Sequence, residues 1–400
     1  MKNKTLHYSA LHGLYWGDMA VIIGFASVYL LYRGFTNSQI GVIMAISNII
    51  TVVTSPVLSA FADRTKKISL NNLAAALAVI VTALAGVLYF MPEVLYAVGL
   101  VYVLLISVNS VIIPLITSMS FVAASYGYDV NYGVARSVGS VTYAVVVTAI
   151  GKFVEKYNAS YLPLFCVLLY TLLFLFLFLF RLNRKDLIKS ESRVNEKSKA
   201  GKDNVFAFFK RYPGLLMFLL GYMFIFLHQA MQSTYYFQIM EYKGGGTYEL
   251  GIASAIAAVM ELPTIAGFTY MLKKKSVNFW LRFSAVFYAI KGFAFWLVPN
   301  VLGVYAVALM QIATYAIMYT ASIYYVEGMV DESDRVKGQG YVITSSTIGG
   351  IIASLVGGKI LDVASVNEQL MFGALVCFLG SLIVFFSVSE KKKKADSVAA

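Results

Sequence analysis

The chain repeats itself at a fixed spacing, and the repeated residues fall within and between long apolar segments. Pro56 recurs as Pro263, 207 residues further on (263 − 56). The same spacing separates further pairs of like residues: Tyr15 and Tyr222, Tyr29 and Tyr236, Phe61 and Phe268, Lys66 and Lys273, Lys67 and Lys274, Gly133 and Gly340, Gly151 and Gly358, Lys152 and Lys359, and the acidic pair Glu155 and Asp362. We therefore expect two equivalent halves in the same orientation, each of them a bundle of six helices.

Composition indicates that both halves lie in a membrane. Hydrophobic residues make up 59% of the 400 residues and charged residues only 13%, about half the usual fraction in soluble domains. Most apolar stretches exceed the ~20 residues that cross a bilayer core. The sequence thus predicts an all-α integral membrane protein with twelve transmembrane helices, near residues 9–32, 38–61, 70–91, 94–124, 133–156, 160–181, 212–240, 247–272, 277–298, 300–328, 338–361 and 367–389.

The loops between these helices alternate in charge, which predicts their orientation. Basic residues gather near both termini, in the turn 64–67 and in the loop 273–275. By the positive-inside rule these loops and both termini face the cytoplasm, as expected for a protein of the cytoplasmic membrane. We predict an N-terminal bundle over 1–181, a cytoplasmic linker over 182–210 and a C-terminal bundle over 211–400 that ends in a basic tail. Orientation explains the net charge of +12, so we expect no nucleic-acid partner.

Catalytic and metal-binding signatures are missing from the sequence. It contains no HExxH, no nucleophile elbow and no phosphate-binding loop. Cys166 and Cys377 each lie in an apolar run, which argues against a disulfide scaffold or a CxxC metal site. We therefore expect no enzyme activity, no metal and no cofactor. Parallel six-helix repeats are typical of secondary transporters with a central site. We therefore expect a monomer whose partners are the lipid bilayer and a small solute.

Two acidic residues lie where lipid would surround a helix. A charge in the middle of a membrane helix costs about 2.5 kcal/mol or more, so one that persists usually faces a cavity or a partner. Glu261 is near the middle of the eighth helix, and a carboxyl removed from water can exchange a proton near neutral pH; the alternative is a structural ion pair with Lys291. Asp18 shares a helix face with Tyr15. It is the second candidate for the proton, with a cation ligand or an interhelical hydrogen-bond acceptor as alternatives.

The other polar residues within the predicted helices indicate a solute site. Arg136 offers a planar fork for hydroxyls or carboxylates. The alternative is that it is only a basic residue at the cytoplasmic start of a helix, which the positive-inside rule explains. Tyr143 offers an aromatic face for a sugar ring or a base. Such a density of hydrogen-bonding groups suits a hydroxyl-rich or amide-rich ligand. The remaining candidates are Asn109, Ser140, His228, Gln229, Gln232, Tyr236, Lys291, Gln311 and Tyr315.

Several stretches together resemble the major facilitator superfamily. The turn 62–67 is similar to that superfamily's loop of an acid followed by basic residues, which implies that Asp63 and Arg64 latch one conformation. Within the superfamily, the segments 132–140 and 261–263 resemble the fifth and eighth helices of the lactose-permease-like and phenylpropionate-permease-like group. The resemblance implies two six-helix bundles, with Arg136 holding the substrate and the acid at position 261 handling substrate or proton.

The tenth helix departs from the lactose-permease pattern, so coupling to Na⁺ stays an alternative to coupling to protons. That pattern has a basic residue, a histidine and a glutamate where Gln311, Thr314 and Ile317 stand here. A proton carrier must then lie elsewhere, with Glu261 and then Asp18 as the choices, and Na⁺ remains possible.

The function expected from the sequence is proton-coupled import of a small polar organic solute by alternating access. Sugars or oligosaccharides come first as the solute, then nucleosides, then aromatic acids. The alternatives are a sodium-coupled sugar carrier, proton-driven efflux of amphipathic compounds, and a non-transporting membrane enzyme or receptor on the same scaffold.

Overall fold

Long apolar helices make up most of the described part of the chain, because in lipid the backbone must satisfy its own hydrogen bonds. The structure, a computed structural model, describes residues 4–64, 69–180 and 204–388. The first half contains α1 (Thr5–Met19), α2 (Ala26–Tyr32), α3 (Asn37–Arg64), α4 (Leu70–Phe90), α5 (Leu95–Ser110), α6 (Ile112–Ser125), α7 (Tyr132–Lys156) and α8 (Leu162–Leu179). The second half contains α9 (Val205–Arg211), α10 (Pro213–Thr234), α11 (Tyr236–Tyr242), α12 (Thr247–Lys274), α13 (Val277–Leu297), α14 (Val301–Leu309), α15 (Tyr315–Met329), α16 (Arg335–Val363) and α17 (Val366–Ser387).

The helices account for the predicted series of membrane spans. Within the described ranges, 10 helices are long and apolar enough to cross a membrane, and the bent pair formed by Thr5–Gly24 and Ala26–Tyr32 makes an eleventh. The predicted ninth span, 277–298, corresponds to α13, which is less apolar because it contains Arg282 and Lys291. The prediction of an all-α, multi-pass membrane fold is confirmed.

Four of the predicted spans are interrupted, which the sequence analysis missed. The first passes from α1 through a π-helical segment (Ala20–Gly24) into α2 with a bend of 45°. The fourth breaks between α5 and α6, where Pro114 cannot accommodate the carbonyl four residues before it. The seventh breaks between α10 and α11, and the tenth has a 3₁₀ turn at Met310–Ile312. The first and fourth spans correspond to the seventh and tenth in the repeat, so the interruptions are themselves repeated.

The two halves meet along two pairs of helices, α3 with α16 and α7 with α12. At one end, which we call the sealed end and which contains residues 33–36 and 243–246, the backbones touch. A methyl group on Gly41 would lie 2.1 Å from the Ser354 carbonyl oxygen, and one on Gly251 would lie 2.6 Å from that of Val147. Only glycine permits so close an approach.

A carboxylate also joins the halves at the sealed end. Asp362, near the end of α16, accepts hydrogen bonds from the backbone amides of Asn37 (3.0 Å) and Ser38 (2.8 Å). These amides belong to the first turn of α3, where a negative charge is stabilising. The glycines and this carboxylate together close the bundle at the sealed end.

The same helices diverge toward the opposite end, which we call the open end. A methyl group on Gly267 of α12 or on Gly340 of α16 would meet no atom of the described residues within 4 Å. Ile343 of α16 keeps 65% of its surface exposed and Tyr270 of α12 keeps 61%. The cleft between the halves therefore widens away from the sealed end.

Several predicted segments fall partly or wholly outside the described residues. The predicted linker over 182–210 is outside them as far as residue 203, as is the basic tail beyond residue 388. The last residues of the predicted linker form α9, where Phe208 is buried. Most of α9 is exposed, and Phe208 packs against Tyr212 and Tyr341.

Candidate functional site

A central cavity of about 390 Å³ lies between the two halves. Its wall combines α1 and α7 of the first half with α10 to α15 of the second. Ten of the residues predicted for the site line it: Arg136, Ser140, Tyr143, Gln229, Gln232, Tyr236, Glu261, Lys291, Gln311 and Tyr315. The spacing of polar residues along helices thus places most of the site's members together.

The first span contributes a wall that the sequence analysis missed. Trp16, Met19, Ile23 and Gly24 line the cavity, with spacings that follow one face of a helix into the π-helical segment. Trp16 could have been found from its place on that face, but an apolar stripe at helical spacing also fits lipid contact.

A hydrogen-bonded chain of three side chains crosses the second half's side of the cavity. The Lys291 ammonium donates to Gln311 Oε1 at 2.5 Å, and Gln311 Nε2 donates to Glu261 Oε1 at 3.0 Å. The cation requires the amide oxygen, which turns the amide nitrogen toward the carboxylate. The direct Glu261–Lys291 ion pair considered from the sequence is not among the ion pairs of the described residues; Gln311 connects the two charges instead.

Arg136 lies across the cavity from this chain, on α7. Its guanidinium carbon is 4.1 Å from the ring centroid of Trp16, a cation–π contact. One of its N–H groups donates to Ser140 Oγ at 2.7 Å, one turn along the same helix. A guanidinium has five N–H donors in a fixed plane, so the stacked group keeps donors for a ligand in the cavity.

Three of the predicted site residues lie behind the cavity wall. Asn109 is fully buried; its amide nitrogen donates to the Met19 sulfur at 2.9 Å, and its amide oxygen accepts from the Tyr170 hydroxyl. His228 is 1% exposed, near Lys291 and Gly373. Asp18 is fully buried within the first half. The structure does not bring these residues into the cavity, because each faces neighbouring helices of its own half.

The proposed latch residues Asp63 and Arg64 end α3. The side chains at this end of α3 fall outside what the structure describes, so their role stays a prediction.

Comparison with known proteins places this geometry among membrane transporters. Residues 5–372 match the sequence model of the MFS_1 like family. The uncharacterized transporter YwbF of Bacillus subtilis (strain 168) is 22% identical over 396 residues, which cover 97% of this chain and 95% of that protein. The maltose permease of Geobacillus stearothermophilus is 24% identical over 375 residues, covering 92% of this chain and 91% of that one.

A solved structure shares the fold at low sequence identity. The nucleoside transporter NupG, in a mutant form, superposes with a TM-score of 0.82 at 14% identity, over 97% of this chain and 100% of that one. At this identity the likeness concerns the fold alone. It confirms the arrangement of helices expected for the major facilitator superfamily.

Proposed function

Because the chain belongs to the MFS_1 like family of membrane transporters, which are not enzymes, we propose that it imports a small sugar or nucleoside together with protons by alternating access. The observation that carries this proposal is the pairing of two features in one cavity. One wall presents a stacked arginine and the other presents a carboxyl joined to a lysine. The first suits a hydroxylated ring and the second suits a proton.

The size and lining of the cavity support a solute of one or two rings. Its volume of about 390 Å³ is near the lower end of the range of roughly 300–1,000 Å³ for small-molecule sites. Amide groups of Gln229 and Gln232 and the ring of Tyr143 supply hydrogen bonds and an aromatic face. A sugar is the first candidate, supported by the similarity to a maltose permease. A nucleoside is the second, supported by the likeness in fold to a nucleoside transporter.

The Lys291–Gln311–Glu261 chain supplies a physical basis for coupling. Without proton or solute, the lysine and the carboxylate balance each other's charge through Gln311. A proton alone on Glu261 leaves the Lys291 charge uncompensated in a buried site, which is costly. A solute that arrives with the proton can place hydroxyl oxygens against Lys291 and Gln311. The carrier therefore changes conformation empty or fully loaded, and the two ligands bind in linked fashion.

The shape of the bundle fits one state of such a cycle. It is sealed at the end with residues 33–36 and open at the other. By the positive-inside rule the open end faces the cytoplasm. In this proposal the structure is the inward-open state of an importer.

Replacement of Glu261 by Gln tests the coupling. In proteoliposomes with an imposed pH gradient, Glu261→Gln should abolish uphill accumulation, because the amide cannot carry the proton. Exchange of labelled solute across the membrane should continue, because the neutral amide mimics the protonated carboxyl.

The matched control is Glu249→Gln, which changes an acid that caps the start of the same helix by accepting from the Gly246 amide. Glu249→Gln should accumulate solute as wild type does. Normal accumulation by Glu261→Gln would overturn the assignment of the proton to Glu261.

A further inference from the structure

Asp18 is an acidic side chain for which the proposed coupling has no use. It lies in the middle of the first span, is fully buried, and lines no part of the central cavity. Neither of its carboxyl oxygens accepts from an N–H or O–H group of the described residues, and the weakly donating thiol of Cys166 is its nearest hydrogen-bonding neighbour. An ionised carboxylate without partners is among the most expensive groups to bury.

The surroundings of Asp18 supply no positive charge to offset it. Within the described residues, the titratable groups that act on it are the thiol of Cys166 on α8 and the phenols of Tyr15, Tyr102 and Tyr170. The helix α7 packs against the same stretch of α1 through Thr142, which is uncharged. The charged residue of α7 at this interface, Arg136, stacks on Trp16 and is not among the groups that act on Asp18.

An amide group in the same part of the first half is already engaged with other partners. Asn109 uses its nitrogen on the Met19 sulfur and its oxygen on the Tyr170 hydroxyl. A neutral carboxylic acid fits this environment far better than a carboxylate, because protonation removes the charge that burial penalises.

We propose that Asp18 is a second proton-binding site, in the first half of the molecule, and that it is occupied in the conformation sealed at residues 33–36. The site rests on the proposed proton-coupled transport for its role in the cycle, although its occupancy can be measured without transport. An acid inside a membrane bundle commonly marks a proton pathway.

The shape of the first span links this site to the solute cavity. Asp18 is followed by Met19, which lines the cavity, and then by the π-helical segment that contributes Ile23 and Gly24 to the same wall. A π-helical turn is often found at functional sites, and the bend of 45° follows it directly. An ionised Asp18 would need water or a strong donor, and its fully buried side chain is surrounded here by phenols and a thiol. Release of its proton therefore requires α1 to shift at this segment, and such a shift moves the cavity wall.

The ligand set favours a proton over a sodium ion. A hard cation requires several oxygen ligands at once. Here the nearest groups include a thiol, which is a poor ligand for such ions, and the Asn109 oxygen already accepts a hydrogen bond.

Infrared difference spectroscopy of the full-length protein in lipid measures the occupancy directly. Wild type should show a carbonyl band of protonated carboxylic acid near neutral pH, and Asp18→Asn should remove part of it. Glu368→Gln serves as the control, because that carboxylate lies in the first turn of α17 and accepts a hydrogen bond from the Ser365 hydroxyl, away from the contact between the halves. An unchanged band in Asp18→Asn would overturn the proposal.

The ratio of protons to solute in sodium-free proteoliposomes tests the role in coupling. Asp18→Asn should keep solute exchange while its proton-to-solute ratio falls by about half, because one of two linked sites is lost. A lost band with an unchanged ratio would overturn the coupling role. A wild type that moves no protons with solute would overturn the proposed function, while the band would still decide whether Asp18 holds a proton.

Two further measurements cover a variant that fails to fold and a site that binds Na⁺ instead of a proton. If Asp18→Asn does not fold, Asp18→Glu and Cys166→Ser replace it; each should shift the pH at which the band disappears, and no shift in either would contradict the proposal. If Na⁺ at constant pH removes the band in wild type but not in Asp18→Asn, the site takes sodium and the proton assignment is wrong.

Discussion

The two halves of this protein each bury one acidic side chain in mid-membrane, and they surround it in different ways. Glu261 faces the central cavity and is joined through Gln311 to a lysine. Asp18 lies behind the cavity wall among phenols and a thiol. The first arrangement can respond to a solute by direct contact. The second can respond only through the shape of its own helix. A carboxyl in a membrane helix therefore acquires its function from what packs against it.

The largest expected effect comes from breaking the chain on the Glu261 side. Lys291→Met should lower the rate of uphill transport by about 100-fold, because leaving a buried charge without its partner costs at least ~3 kcal/mol. Initial rates of solute uptake in proteoliposomes would show this.

The double variant Lys291→Met with Glu261→Gln should recover exchange, since neither charge then remains. Lys243→Met, at the sealed end, is the control, because its ammonium donates to the Trp296 carbonyl and lies outside the chain. A double variant as inactive in exchange as Lys291→Met alone would count against a coupled pair.

A smaller effect is expected at the solute side of the same cavity. Arg136→Lys should raise the KM for solute by about 10-fold, because lysine loses both the planar fork and much of the stacking on Trp16. The proton-to-solute ratio should not change, which separates solute binding from the carboxyl sites.

The control is Arg33→Lys, since the Arg33 guanidinium donates to the Met91 and Pro92 carbonyls at the sealed end. A change of the proton-to-solute ratio in Arg136→Lys, with KM unaffected, would place this arginine on the proton side.

The smallest effect is expected from a third acid, which touches neither carboxyl site. Asp362→Asn should weaken the sealed end by about 0.3–1 kcal/mol, the value of a charge at a helix N-terminus, and shift the population of conformers by up to about five-fold. A cysteine introduced at Ser233, in the cavity wall, should then react faster with an impermeant thiol reagent added from the side of residues 33–36.

Glu368→Gln is the comparison, because Glu368 lies in the first turn of its own helix at the same end. Equal labelling rates in Asp362→Asn and wild type would mean that the carboxylate does not hold the halves together.

The sequence predicts the helices and much of the cavity, because both depend on local periodicity. The density of polar residues on one helix predicts that Gln229 and Gln232 belong to the site, and both line the cavity. The same argument includes His228, which instead faces its own half. Neighbouring helical residues point about 100° apart, so periodicity separates His228 from Gln229. Which of the two faces the cavity is decided by packing between helices.

The interrupted spans show the same limit. Pro114 could have indicated the break between α5 and α6, because the proline ring clashes with the carbonyl of the preceding helical turn. The π-helical segment after Asp18 and the 3₁₀ turn at Met310–Ile312 contain no proline to mark them, and each packs against several other helices. Asp18 could therefore be recognised as unusual, while the direction it faces could not.

Proton movement in sodium-free proteoliposomes, followed with a trapped pH dye during addition of sugars, nucleosides and aromatic acids, tests the central claim most directly. The account predicts internal acidification with a sugar or a nucleoside, and none in protein-free liposomes or with Glu261→Gln. Solute uptake without acidification, restored only by Na⁺, would contradict it.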